Sequence, residues 1–175
     1  MTSELKNLTD GQLKLVPATR AMLKAELAGN HTQIYSRLNV SLPPCWPPEL
    51  NDADSYVHFL YVLKTVPTAA GWGAHYAVNM QKVSTLVGTD GFVMPPDADG
   101  IVEIGYRILK PYRKQGMATC LARLLVEHAF AYNRVKCVIA TTYPHLIASI
   151  GLLTKLGFAF DGEHEDGIIA YRLAR

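Results

Sequence analysis

The sequence contains few cysteines and lacks a long apolar run. There are three cysteines, an odd number: Cys45, Cys120 and Cys137. No two of them have the C-x-x-C spacing of a metal site. A disulfide framework is therefore not predicted, and free thiols favour a cytoplasmic protein. No stretch approaches the about 20 apolar residues of a membrane span, and residues 1–10 lack the apolar core of a signal peptide. We therefore expect a soluble chain with no membrane partner.

The chain also carries almost no excess of positive over negative charge. The net charge is +2 over 175 residues, whereas domains that bind nucleic acid usually present a strongly basic face. The balance argues against a nucleic-acid partner, although Lys110, Arg113 and Lys114 lie close together. A metal site is not predicted either, because His164 stands in an acidic turn with no second histidine at ligand spacing. Hydrophobic residues make up 49 % of the chain, which is typical of a globular domain.

Periodicity and turn residues divide the chain into helices and strands. Strands are predicted at 13–16, 72–78, 85–93, 101–109, 135–141, 158–160 and 168–173. Helices are predicted at 19–28, at 31–39, from Asn51 or Asp52 through Leu63, at 116–132 and at 145–156. The proline-rich segment 42–48 is a loop, because proline fits neither a helix interior nor a central strand. Alternation of strands and helices in the second half predicts a single α/β domain with a mixed sheet of about seven strands.

The most informative segment is a basic loop that follows a strand and opens a helix. It comprises Arg113-Lys114-Gln115-Gly116-Met117-Ala118-Thr119. A helix N-terminus has about four amides without intrahelical partners and a partial positive charge, so it favours anions. Gly116 removes a Cβ where a phosphate would approach, and Ala118 keeps the next turn small. The segment therefore predicts a phosphate-binding turn, although an ordinary basic turn before a helix has the same composition.

The residues of this turn exclude two common phosphate motifs. A P-loop requires Gly-Lys-Ser/Thr, whereas Gly116 is followed by Met117, Ala118 and Thr119. A dinucleotide fingerprint requires the pattern G-x-G-x-x-G, which is absent here. The turn therefore belongs to another class of anion site.

Arg113-x-x-Gly116-x-Ala118 resembles the acyl-CoA pyrophosphate motif, Q/R-x-x-G-x-G/A, of the GNAT superfamily of N-acetyltransferases. The strand 102–106 before it and the segment 148–158 after it occur in the order and spacing of that family. Residues 13–17 and the Trp-Pro-Pro loop are similar to the RimJ/RimL-like branch, which acetylates ribosomal-protein alanines. The resemblance is strong over 101–158 and loose before residue 70.

The resemblance implies one GNAT-like domain over residues 1–175. Its mixed sheet would contain a splayed strand pair and be flanked by helices. The acyl-CoA-binding core would occupy 101–158, and the acceptor-side helices and loop would occupy 13–66. The implied reaction is direct transfer of an acetyl group from acetyl-CoA, a co-substrate, to a primary amine on a protein N-terminus or a small molecule. The resemblance implies no metal and allows a homodimer.

Two replacements keep open the alternative of a non-catalytic acyl-CoA sensor or interaction domain. Leu146 stands where many relatives have an asparagine that fixes the cofactor or the helix start, and Ser149 is the remaining polar member of that motif. Leu153 stands where many relatives have a tyrosine that protonates the leaving thiolate. Tyr106 and Tyr143 lie nearby in sequence, but both are interpreted as packing residues.

The resemblance also implies the roles of the remaining residues. The backbone of Ile108 and Leu109 would pair with the pantetheine arm, and such a strand usually carries a β-bulge. An amide between Ile104 and Ile108 would stabilise the thioester oxygen. The pyrophosphate would be bound by the loop amides, with Thr119 beside them: Arg113, Lys114, Gln115, Gly116, Met117 and Ala118.

Glu103 is the candidate general base. A protonated amine, whose pKa is about 10, has no lone pair to attack a thioester, so a carboxylate must accept its proton directly or through a water. Strand alternation places Glu103 on one face with Gly105 and Arg107. A structural ion pair between Glu103 and Arg107 is the alternative. Trp46 either contributes to an acceptor wall with the 31–60 region or anchors the proline-rich loop.

Overall fold

The computed structural model describes residues 8–41, 43–66, 69, 71–81 and 83–175. The strands are β1 (Leu8–Thr9), β2 (Leu13–Pro17), β3 (Ala74–Asn79), β4 (Thr85–Phe92), β5 (Ile101–Ile108), β6 (Cys137–Thr142), β7 (Ala159–Glu163) and β8 (Ile169–Ala174). The helices are α1 (Arg20–Leu27), α2 (His31–Leu38), α3 (Ala53–Thr65), α4 (Met117–Phe130) and α5 (Ile147–Lys155). The segment 1–7, where we predict no signal peptide, and Leu42 of the proline-rich loop lie outside the described residues.

The predicted α/β domain with a mixed sheet is confirmed. The strand order is β1-β2-β3-β4-β5-β6-β8-β7, and within this sheet β5 and β6 are the parallel neighbours. The sheet has eight strands because the two-residue β1 pairs with β2 across a tight turn. The Asp10 side chain accepts from the amides of Gln12 and Leu13 in that turn. A pair of residues carries too little periodicity to be predicted as a strand.

Several elements begin or end within a few residues of their predicted bounds, where local turns interrupt them. α5 begins at Ile147 rather than at 145, because the amide of Leu146 donates to the carbonyl of Tyr143 in a preceding turn. β6 begins at Cys137 rather than at 135, since Val135 bonds back to Tyr132. Across the described ranges, no helix has the length and apolar character that crossing a membrane requires.

The predicted splayed pair is β5 and β6. These strands pair only from Ile101–Ile104 to Cys137–Ala140. Beyond that point, β5 continues with β4 as its partner, while β6 continues with β8. The bulge predicted in β5 is wrong, because the β4–β5 register is regular and the irregularity lies between β3 and β4. The slot therefore opens because each strand follows its own outer neighbour.

The sheet buries one core on each face. Val102, Ile104 and Ile108 pack into the core that contains α4 and α5, while α1, α2 and Tyr56 of α3 cover the opposite face. Because side chains alternate along an unbulged strand, the residues between these core positions project toward the α3 side. Glu103 and Arg107 are therefore on the same face as α3.

Candidate functional site

A continuous groove of about 1040 Å³ lies where β5 and β6 diverge. Its walls come from β4, β5, the loop before α4, the first turn of α4, α5 and the N-terminal half of α3. The structure places nine of the predicted site residues along this groove: Glu103, Ile108, Arg113, Lys114, Gly116, Met117, Ala118, Thr119 and Ser149. Asn51 and Ser149, about 100 positions apart in sequence, thus line one opening.

Two predicted site residues lie outside the groove. The side chain of Leu109 is buried and its amide donates to the carbonyl of Val87, at 2.9 Å. Gln115 is exposed, and its side-chain amide donates to the carbonyl of Pro111, at 2.9 Å. The amide of Leu109 is thus bound within the β4 ladder and not free at the groove edge.

The groove exposes an unpaired edge of β5. Glu103 accepts a hydrogen bond from Val93, and Leu109 donates one to Val87, so the main-chain groups of the odd-numbered residues point toward β4. Those of Tyr106 and Ile108 consequently point toward the splayed β6. The carbonyl of Ile108 accepts from Nε of Arg113, at 2.9 Å. The neighbouring main-chain groups can pair with an extended amide-containing chain, as another strand would.

The loop before α4 presents backbone amides to the same groove. Lys114 and Gly116 have left-handed φ angles of 61° and 78°, which turn the chain sharply into the helix. Gly116 is the N-cap residue and no side chain caps the helix. The first amide that bonds back is Cys120, to the carbonyl of Gly116. The preceding amides therefore remain available for an anion.

Basic side chains surround this helix start, and an exposed carboxylate partly neutralises them. Glu49 forms ion pairs with Lys110 and with Arg113, the latter at 3.0 Å. Hydrogen bonds from Lys110 and Arg113 lower the pKa of Glu49. Lys114 also lines the groove. Because exposed pairs contribute little to stability, an incoming phosphate can exchange with Glu49 at small cost.

Glu103 lies half-buried at the inner end of the slot. Its Oε1 accepts a hydrogen bond from Oγ1 of Thr141 on β6, at 2.8 Å. Among the described residues, Glu103 forms no ion pair with Arg107 or with any other base, so the alternative structural pairing is not observed. The carboxylate is thus held by β6, and Glu103 lines the groove.

Tyr106 and Ser149 meet across the groove. Tyr106 Oη and Ser149 Oγ are 3.1 Å apart, although 43 positions separate them in sequence. Burial raises the pKa of Tyr106, so its hydroxyl keeps its proton at neutral pH. Leu153, on the same helix as Ser149, is fully buried in the core. The hydroxyl that reaches the groove thus comes from β5 instead of from the position of Leu153 on α5.

Residues 13–159 match the sequence profile of the acetyltransferase (GNAT) domain. The chain belongs to the GNAT acetyltransferase family. The matched region contains every residue that lines the groove except Ile168, and it spans most of the chain.

Similar proteins agree with this assignment. The GNAT chain is 33 % identical over 73 residues to the N-acetyltransferase YjdG of Bacillus subtilis (strain 168), a match that covers 42 % of this chain and 44 % of that protein. The chain thus spans less than half the length of this relative. An acetyltransferase from Agrobacterium tumefaciens str. C58 has the same fold, with a TM-score of 0.66 and 17 % identity over 100 % of this chain and 98 % of the other.

A second solved structure also has this fold. It is RimL, described as a ribosomal L7/L12 α-N-protein acetyltransferase in complex with coenzyme A. Its TM-score is 0.62 at 16 % identity, over 97 % of this chain and 98 % of that one. Identities this low establish a shared GNAT fold and leave the acceptor open.

Trp46 of the GNAT domain lies in the core beside α1. Its Nε1 donates to the carboxylate of Glu26, at 3.2 and 3.3 Å, and its ring packs against Tyr76. Trp46 is absent from the groove lining, which favours the interpretation that it anchors the proline-rich loop. The start of α3 lines the groove instead.

Leu146 occupies the N-cap position of α5 in the GNAT domain. It makes no side-chain cap, as expected for an apolar residue at a position that favours Asn, Asp or Ser. Leu146 and Tyr143 line the groove, and Tyr143 stacks on His145 with ring centroids 5.5 Å apart. The contact that an asparagine would supply is therefore missing at this helix start.

His75 and Asp90 form a buried pair that the sequence does not indicate. Nδ1 of His75 and Oδ1 of Asp90 are 3.5 Å apart, and both residues are fully buried. Burial lowers the pKa of His75 to about 3 and raises that of Asp90 well above its usual value. Burial thus favours the uncharged form of both groups in the folded protein. Asp90 pairs in register with Tyr106, so this neutral pair lies beneath the groove.

The Asp90→Asn variant is expected to be more stable than the wild type at pH 7. The folded-state pKa of Asp90 lies above the unfolded value of about 3.9, so ionisation in the unfolded chain weakens folding as the pH rises above that value. Between the unfolded and the folded pKa, each pH unit costs the carboxyl about 1.4 kcal/mol of stability, and an amide, which does not ionise, avoids this cost. About 1 kcal/mol shifts the Tm of such a domain by about 2–4 °C. Thermal unfolding should therefore show a gain of several degrees.

The pH profile identifies the cause of that gain. The stability gain of Asp90→Asn should shrink toward pH 4, where the carboxyl of the unfolded chain is also protonated. Asp99→Asn, in the exposed turn before β5, is the control and should show no such trend. An Asp90→Asn gain that is constant between pH 4 and 7 would contradict a neutral buried Asp90.

Proposed function

We propose that this GNAT protein transfers an acetyl group from acetyl-CoA to a primary amine, with Glu103 as the general base. One observation carries the proposal: a single groove joins the uncapped N-terminus of α4 to Glu103. The slot thus has an anion site in one part and a proton acceptor in another. This arrangement suits an acyl donor that has phosphates at one end and a thioester at the other.

The donor half fits coenzyme A in shape and in chemistry. The amides from Lys114 to Thr119 would bind the pyrophosphate, with positive charge from Lys114 and Arg113. The exposed edge of β5 at Tyr106 and Ile108 would pair with the amides of pantetheine. The complex of RimL with coenzyme A, in the same fold, supports this orientation. Leu109 and Gln115 are left out of the proposed donor site because they lie outside the groove.

The acceptor half lies between β5 and the start of α3. Segment 13–66 supplies this side through Asn51, Asp52 and Tyr56, which line the groove opposite Glu103. Glu103 would take a proton from the incoming amine, directly or through one water, and so free the lone pair that attacks the thioester carbon. An amide on the free edge of β5 would donate to the thioester oxygen as negative charge develops there.

Tyr106 is the proposed proton donor to the departing sulfur. As the carbon–sulfur bond breaks, its electron pair goes to sulfur, and the Tyr106 hydroxyl protonates it while Ser149 holds the ring in place. The attacking nitrogen loses its second proton to solvent as the tetrahedral intermediate collapses. Solvent returns a proton to Tyr106, and Glu103 releases the first amine proton to solvent, so the net products are the amide, the free thiol and one proton. This assignment gives the chain an acid although Leu153 cannot act as one.

Tyr106→Phe is expected to lower kcat by about 10- to 100-fold and to leave the KM for acetyl-CoA nearly unchanged. The lower end of the usual range for general acid catalysis applies, because a thiolate leaves fairly well without help. Steady-state release of free thiol measures both constants. The control is Tyr61→Phe, since Tyr61 is exposed on α3 and lies away from the groove. Unchanged kcat in Tyr106→Phe would assign Tyr106 to packing.

The second candidate function is a non-catalytic acyl-CoA sensor, which the loss of polar groups at Leu146 and Leu153 favours. Titration calorimetry with acetyl-CoA, followed by thiol release and mass detection with a panel of amines and peptides, separates the two functions. The enzyme should bind acetyl-CoA and form acetylated amine and free thiol in equal amounts. Tight binding with no thiol release for any amine would support the sensor.

A further inference from the structure

Arg107 is a half-buried base without a partner in the described part of the chain. It lies on β5, lines the groove and forms no hydrogen bond or ion pair with any described side chain. Guanidinium groups are rarely left unpaired when partly buried, because desolvation is costly without a counter-charge. Among the described residues, no carboxylate is bound by the five donors of Arg107.

The neighbouring acid is already engaged. Asp52 caps α3 and accepts from the amide and the hydroxyl of Ser55, at 2.9 and 2.7 Å. Those bonds lower the pKa of Asp52, and the charge of Arg107 adds a smaller effect. Arg107 is thus close enough to sense this carboxylate, yet Asp52 forms no ion pair with it within 4.0 Å.

Neutral polar groups surround the guanidinium on the α3 side. Thr89 pairs in register with Arg107 and donates to Asn51, at 3.2 Å. Asn51 in turn donates to the hydroxyl of Tyr56, at 3.3 Å. These side chains satisfy one another, and they leave Arg107 facing the groove.

The surface of β5 between Arg107 and Glu103 carries no side chain. Gly105 lies between them on the same face and pairs with Gly91 on β4. A Cβ built on Gly105 would meet no atom within 4 Å, so the space above it is open. Glu103 and Arg107 are four residues apart, which separates their Cα atoms by about 13 Å along a strand. An acceptor can therefore lie across Gly105 and contact both residues.

We propose that the acceptor is a primary amine that also carries a carboxylate, with the amine at Glu103 and the carboxylate on Arg107. This inference rests on the proposed function and specifies its substrate class. The planar guanidinium suits bidentate binding of a carboxylate. The separation of the two residues favours an acceptor whose amine and anion are several bonds apart.

The test uses matched pairs of acceptors and three variants of the full chain. The acceptors are ω-amino acids of increasing length and their uncharged primary amides, so each pair differs by one charge. The variants are Arg107→Gln, which removes the charge, Arg107→Lys, which keeps it without the planar fork, and Arg37→Gln on exposed α2 as the control. Acetylation rates and binding to CoA-saturated protein are both measured.

The wild type should favour the longer acids over their amides by about 10-fold or more in kcat/KM, as expected for a charge-assisted hydrogen bond. Arg107→Gln should remove that preference while the amides and the KM for acetyl-CoA stay unchanged. Arg107→Lys should keep part of the preference for acids over amides, and Arg37→Gln should keep all of it. Equal use of acids and amides by the wild type would overturn the inference.

Two other outcomes separate this inference from the proposed function. If Arg107→Gln weakens acetyl-CoA binding for every acceptor, Arg107 belongs to the donor site and the inference fails while the enzyme assignment stands. If no amine is acetylated although CoA binds, the proposed function fails. The binding comparison then still decides the inference, which is overturned if acids and amides bind alike.

Discussion

Replacement of Glu103 by glutamine is expected to lower kcat/KM for amine acetylation by about 10²- to 10⁴-fold at pH 7. The amide has nearly the shape of the carboxylate and can keep the hydrogen bond from Thr141, so the fold should be unaffected. It cannot accept a proton, so only the small fraction of amine that is already neutral in solution would react. The loss is measured by steady-state kinetics, with acetyl-CoA affinity followed by calorimetry.

The pH dependence makes this prediction specific to base catalysis. Because an alkyl amine has a pKa of about 10, the neutral fraction grows with pH and the deficit of Glu103→Gln should shrink from pH 7 to pH 9. Glu127→Gln, on the exposed surface of α4, is the charge-matched control and should have wild-type kinetics. If Glu103→Gln retains wild-type kcat/KM at pH 7, another group accepts the proton.

Substitution of Gly116 by alanine is expected to raise the dissociation constant for coenzyme A by about 10- to 100-fold. The φ angle of 78° at this residue costs a residue with a Cβ about 1–2 kcal/mol. The new methyl group would also occupy the space in which a pyrophosphate meets the amides of α4. Calorimetric titration with coenzyme A measures the affinity, and thermal unfolding measures the cost of the backbone strain.

Gly29→Ala separates strain from binding. Gly29 resembles Gly116 in its left-handed φ, which is 66°, and in the lack of any atom within 4 Å of an added Cβ. Gly29, however, lies at the end of α1. Both variants should lose similar stability, and only Gly116→Ala should lose affinity. Acetyl-pantetheine, which lacks the pyrophosphate, should bind Gly116→Ala as it binds the wild type. Equal affinity losses in both variants would place the phosphates elsewhere.

The fold, and the gathering of most predicted site residues along one groove, were largely predictable because their signals are local. The turn from Arg113 to Thr119 is contiguous, so its composition and position before a helix indicate an anion site directly. Apolar runs located the strands from β2 to β8, whereas the pair Leu8–Thr9 is too short to show periodicity. Leu109 was included in the site because the sequence does not reveal which main-chain groups of β5 point toward β4.

The catalytic half depends on contacts between distant segments. Thr141 reaches Glu103 across 38 positions, and Ser149 reaches Tyr106 across 43. No periodic pattern specifies such pairs, because they follow from the splay of β5 and β6. Likewise, alternation placed Arg107 beside Glu103 on one face, but its lack of a partner is visible only once the neighbouring side chains are placed.

The most direct test of this account is a crystal structure of the protein with a non-hydrolysable thioether analogue of acetyl-CoA. We expect the pyrophosphate on the amides from Lys114 to Thr119, and the pantetheine along the edge of β5 at Tyr106 and Ile108. The reacting carbon should lie where an amine can contact both it and Glu103, directly or through one water. Phosphates bound away from α4, or a reacting carbon out of reach of Glu103, would contradict the proposed assignment.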